Sequence, residues 1–201
     1  MLPISFYDIS SNDAQITLKS FKRAFLFASL LFFISFVIGY AVSPLADFSQ
    51  IEGNLDDVVS MISKLSPLEI AIFIFLNNSI KSVLVIILSP LLGIFPIFFL
   101  VFNGFLVGLV IYDALTVTSL LVVSSAIIPH GIIELPIIIL AGSIGLKIGN
   151  ESLKRIHRAD SYLVDYFKFG LRISISKIIP GLLIAAILES FLTPVIMNLF
   201  L

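Results

Sequence analysis

Charge is absent from two long stretches of the chain, Ala24 to Ala46 and Ser82 to Tyr112, and each exceeds the ~20 residues that carry a helix across a ~30 Å hydrocarbon core. Neither run alternates apolar with polar residues as a barrel strand would. Lipid offers open backbone groups no partners, so helices are predicted. The hydrophobic pattern gives an all-α, polytopic transmembrane bundle of about five spans, at 21–42, 67–89, 94–112, 115–148 and 176–200. These form a single transmembrane domain over residues 21–201, preceded by a cytoplasmic or interfacial segment at 1–20, where Ser10 to Asp13 offer helix caps before Ile16, Leu18 and Phe21. Pro90, Gly93 and Pro96 punctuate a tight connection between the second and third spans.

The fourth apolar region is too long for a simple crossing. From Leu115 to Ile148 a straight helix would measure roughly 50 Å, well beyond a ~30 Å core. It must tilt, kink or re-enter. Pro129 lacks an amide donor and disfavours helical geometry at Ile128, and Gly131 follows closely. A broken fourth helix is therefore expected at Pro129–Gly131. Beyond it, Leu153, Ile156, Tyr162, Leu163, Tyr166, Phe167 and Phe169 recur at near-helical spacing among charges, which predicts an amphipathic interfacial helix near 151–170.

Composition supports this reading, since 59% of residues are apolar and only 12% charged, a balance unlike a soluble surface. A net charge of −1 gives no support for a nucleic-acid partner. With no cysteine, disulfides, thiolate metal sites and cysteine nucleophiles drop out. No secretory signal peptide is expected, because the first apolar run is too long for one and lacks a small-residue cleavage pattern. Lys19, Lys22 and Arg23 flank the first span, and Lys147 to Arg172 holds six basic residues against three acidic ones. The segment between the first two spans carries Asp47, Glu52, Asp56 and Asp57 against Lys64. Basic flanks favour the cytoplasmic side, so a multi-pass cell-membrane protein with its N-terminus inside and C-terminus outside is expected.

Ionisable groups at membrane depth are functional candidates by default. Glu134 lies 13 residues from Lys147, Glu189 lies 12 from Lys177, and Asn78 lies 12 from Pro90. At ~1.5 Å per residue all three sit roughly 18 to 20 Å from one face and can meet at one level. His130 and Glu134 are four apart and share a helix face. Asn103 lies shallower, and Lys81, one turn from Asn78, can snorkel or pair with a glutamate. Three readings of this set stay open: a structural hydrogen-bond network, a divalent-metal site such as zinc with His130, Glu134 and Glu189 as ligands and Asn78, Asn103 and Lys81 in support, and a proton or ion path beside a broken helix. No catalytic residue is identified. HExxH is absent, and Ser124 and Ser125 have no second buried histidine to activate them. His157, in the charged segment, reads as a headgroup-level residue.

Three segments resemble the stage II sporulation protein M family: PHGIIELPIIILAGSIGLKIG at 129–149, FLNNSIKSVLVIILSPLLGIFPIFFLVFNGFLVG at 75–108 and LLIAAILESFLTP at 182–194. Asn78, Asn103, His130, Glu134 and Glu189 occupy the family's polar positions. The resemblance implies a polytopic helical membrane protein without established enzymatic activity; the namesake anchors a complex with peptidoglycan-cleaving proteins during engulfment, a role that does not extend to the family as a whole. The expectation is a non-enzymatic scaffold or assembly partner in the lipid bilayer, working with other membrane or envelope proteins. The alternative is a small-solute or ion/proton-coupled transporter. Gly104/Gly108 and Gly145/Gly149 suggest close helix approach and a homodimer.

Overall fold

Because nearly every face of these spans is apolar, periodicity does not say which face is buried, and small residues decide it instead. The computed structural model describes residues 21–45 and 65–200; the expectations for residues 1–20 and for the acidic positions between Asp47 and Lys64 lie outside them. The helices are α1 (Lys22–Val42), α2 (Pro67–Leu88), α3 (Ile94–Val117), α4 (Leu120–Ile156) and α5 (Leu163–Ile173). The chain then passes through a π-helical turn (Ser174–Ile178), α6 (Ile179–Ile187), a second π-helical turn (Leu188–Leu192) and α7 (Thr193–Met197).

On α1 the buried residues are Ala28, Phe32, Ser35 and Gly39, a narrow stripe at helical spacing. Leu26, Phe27, Leu30, Phe33, Ile34 and Val37 remain exposed, as suits a lipid-facing surface. The stripe packs on α3, the most extensive helix pairing in the fold. A Cβ at Gly104 would run into the Phe32 carbonyl oxygen, one at Gly108 into that of Phe36, and one at Gly39 into that of Phe105. Backbones can approach this closely only where side chains are missing. At the other end of the bundle Gly149 meets the backbone of Gly93. There Leu92 (φ 60°) and Gly93 (φ 74°) make the left-handed turn between α2 and α3, and Ser152 Oγ donates to the Pro90 carbonyl at 2.6 Å. Gly145 abuts Pro96 and Ser89. Both glycine pairs, Gly104/Gly108 and Gly145/Gly149, are thus spent on packing within the chain.

The fourth helix lies at the centre. One apolar cluster joins it to α1 and α3 through Ala28, Phe32, Phe99, Leu100, Ile138 and Ile139. Another joins it to α2 and the fifth helical run through Ile86, Ile144, Ile148, Tyr166, Ile178 and Leu182. Ser66 opens α2 with a capping box, its Oγ accepting from the Glu69 amide while its own amide donates to the Glu69 carboxylate at 2.7 Å.

The structure departs from the sequence pattern at two places on the fourth and fifth helical runs. The fourth helix is continuous from Leu120 to Ile156, with Pro129 and Pro136 both inside it, so there is no break at Pro129–Gly131. A break in lipid would orphan further backbone groups, whereas a proline within the helix withdraws a single donor. At ~55 Å the helix exceeds the ~30 Å core because its last stretch, bearing Lys147, Glu151, Lys154 and Arg155, runs past the apolar region. The amphipathic stretch is likewise not one separate interfacial helix over 151–170. Residues 151–156 finish α4, a bend follows, and α5 continues through the first π turn into the last span.

Candidate functional site

Pro180 and Pro194 shape the last span in the same way. Each proline stands two residues beyond a π turn, and the residue just before it, Ile179 or Thr193, donates its amide five positions back, to Ser174 or Leu188. A proline ring crowds the carbonyl four residues earlier and disfavours tight helix at its predecessor, and the wider turn relieves both. Thr193 Oγ1 adds a bond to the Leu188 carbonyl at 3.2 Å. π turns insert an extra residue into the helical phase, and the second one carries Glu189.

From this turn Glu189 reaches the level of His130 and Glu134, one turn apart on α4. One ligand atom from each of the three residues lies within 4.8 Å of the others. Asn78, on α2, donates from Nδ2 to Glu134 Oε1 at 2.7 Å, and Asn77 donates to Asn78 at 3.5 Å. His130 Nδ1 is buried without a hydrogen-bond partner. Side chains contributed by α2, α4 and the last span thus converge on one spot.

The supporting residues divide. Asn78 orients Glu134 directly. Asn103 bonds its own helix, donating to the Phe99 carbonyl at 2.7 Å, but it lines a cavity of about 240 Å³ together with His130, Glu134, Phe32, Val107 and Val110. Lys81 is exposed; it lies within Coulombic range of Glu134 and among the described residues makes no ion pair. His157 is exposed, with Nδ1 against the Leu153 carbonyl at 2.8 Å.

Two carboxyls at this separation repel when both are charged, and burial among apolar side chains strengthens the repulsion. A divalent cation between them offsets it, and imidazole with two carboxylates is a suitable donor set for zinc or a similar ion. Around an ion with ligands about 2.1 Å away, neighbouring donor atoms lie about 3.4 Å apart. The three groups form a somewhat loose cage that flexible glutamate side chains can tighten.

In the sequence Glu151 is one more charge in a polar segment. It is instead 1% exposed, accepting from Lys154 at 2.8 Å, from the Tyr162 amide at 3.1 Å and pairing with Lys147 at 3.3 Å. Lys147 also lies over the Tyr166 ring, 4.7 Å from its centroid. The i, i+3 and i, i+4 spacing of the two lysines was the available signal. The group clasps the bend between α4 and α5.

Five helical runs among the described residues are long and apolar enough to cross a membrane, and their interior gathers histidine, carboxyls and amides. This is a multi-pass integral membrane protein. The profile of the family described as stage II sporulation protein M matches residues 28–194, and the chain belongs to that family. It is 28% identical over 185 residues to an uncharacterised protein of Methanocaldococcus jannaschii, covering 86% of this chain and 82% of the relative. A second uncharacterised protein of the same organism is 30% identical over 123 residues, 59% of this chain and 68% of the relative. No solved structure matches.

Proposed function

We propose that this protein is a non-enzymatic membrane scaffold or assembly partner whose His130, Glu134 and Glu189 hold one divalent cation of the zinc class, tying α4 to the last span. The observation that carries the reading is the convergence of three ligand atoms within 4.8 Å from helical elements far apart in sequence, beside a buried imidazole nitrogen that lacks a partner. Asn78 fixes one carboxylate oxygen, which leaves the other free to face an ion. The assembly role rests on family membership. In the membrane the N-terminus is placed inside and the C-terminus outside, in keeping with the basic end of α4 and α5. A homodimer would pair through lipid-facing side chains, since the glycine faces are occupied.

Protein purified without chelator is expected to carry about one divalent ion per chain, measured by elemental analysis, and His130→Ala is expected to lose it. A metal-free wild type after incubation with zinc would refute the metal part of the reading. The cavity beside His130 and Glu134 favours a second reading, a small-solute or ion transporter that uses the same cluster.

A further inference from the structure

The helix glycines differ in what an added methyl would meet, and most of them would bring it into close contact with neighbouring backbone or side chains. At Gly39, Gly104, Gly108 and Gly149 an added methyl would strike neighbouring backbone, so packing requires glycine. At Gly131 it would meet only the Ile127 side chain, at 3.4 Å, an ordinary contact that packing does not forbid. Gly131 does something else. It lines the roughly 240 Å³ cavity that holds His130 and Glu134, and also an apolar groove of about 490 Å³ walled by Phe25, Ser29 and Phe33 of α1. Ile127 and Leu135, one turn to either side, line both spaces as well. Along this stripe of α4, Gly131 is the position with no side chain between them.

The ligand group is equally one-sided. Asn78 and Glu189 do not line the cavity, whereas His130 and Glu134 do, with Asn103 as a further polar wall. Three protein donors leave a tetrahedral ion one position for water or for a donor atom of a chelator. Of the three ligand residues it is His130 and Glu134 that border the cavity, the side from which such a donor can approach.

We propose that the cation is exchangeable, that it enters and leaves through the cavity between α1, α3 and α4, and that the bare Gly131 keeps this passage open. The inference rests on the metal reading above. It distinguishes this site from a closed structural one, in which a bound ion would be trapped.

The test uses full-length protein in detergent, loaded with Co²⁺ and followed by visible absorption as a chelator withdraws the ion. Gly131→Leu fills the passage from α4, and Val110→Trp fills it from α3, where Val110 is 62% exposed and a larger ring can be accommodated. Both are expected to slow withdrawal about tenfold or more at unchanged stoichiometry, while Gly131→Ala stays within about twofold of wild type. Withdrawal at the wild-type rate from both bulky variants would overturn the route and leave the metal site standing. A wild type that takes up no Co²⁺ would overturn the metal reading and the route with it. If Gly131→Leu fails to fold, Val110→Trp decides.

Discussion

Glu151 and Glu134 are both glutamates on α4, and their surroundings give them different work. Glu151 is buried among donors: two lysines and a backbone amide saturate it. Removing one partner of such a group leaves charges uncompensated. Glu151→Ala is accordingly expected to lower stability by about 3 kcal/mol, read as a lower unfolding midpoint in detergent. Lys154→Ala, at a side chain 42% exposed, should change it by no more than about 0.5 kcal/mol. Equal effects would show that the clasp does not hold the bend. Glu134, by contrast, accepts from one amide and faces another carboxyl, so it has coordination to spare. The sequence flags both as charges; only the neighbours separate a saturated anion from an available one.

At the scale of the element, the proline-shaped π turns are what the apolar pattern hid. Period and length find the last span, and Pro180 and Pro194 are visible in the chain, yet whether a proline kinks, breaks or widens a helix depends on what the surrounding bundle allows. The second π turn aims Glu189 at α4. Pro194→Ala removes the crowding that favours the wide turn, and a relaxed α-helical phase would swing Glu189 by about 100° per residue of shift. The expected outcome is a folded protein, unchanged in far-ultraviolet circular dichroism, with metal content well below that of wild type by elemental analysis. Full metal occupancy would show that the turn is not what positions Glu189. The same dependence explains why Pro129 fails to break α4: with no water to receive freed backbone groups, the helix holds through the proline.

For the whole molecule, the proposed orientation rests on the basic residues at one end of the bundle. Exposed Lys22, Arg23, Arg155, Arg158, Lys168, Arg172 and Lys177 flank the ends of α1, α4 and the last span that the topology brings to one side. Basic flanks are retained in the cytoplasm. On the proposed orientation with five crossings, a reporter fused after Leu201 is expected to read external. A cytoplasmic signal would refute both the orientation and the odd number of crossings.

By itself the sequence determined that this chain lives in a bilayer as a set of long helices, which residues begin its turns, and which polar groups lie about equally far along their spans. Those properties follow from length, hydropathy and rise per residue, which are local. It also carried the family, through the PHGIIE, FLNNS and LESFLTP segments. Only the tertiary structure decided which faces meet. It spent Gly104, Gly108, Gly145 and Gly149 inside the protomer, kept α4 whole through two prolines, buried Glu151 and turned Glu189 toward His130 and Glu134. These are outcomes of packing between segments distant in the chain. In helices apolar on every side, burial leaves no periodic trace for a sequence to show.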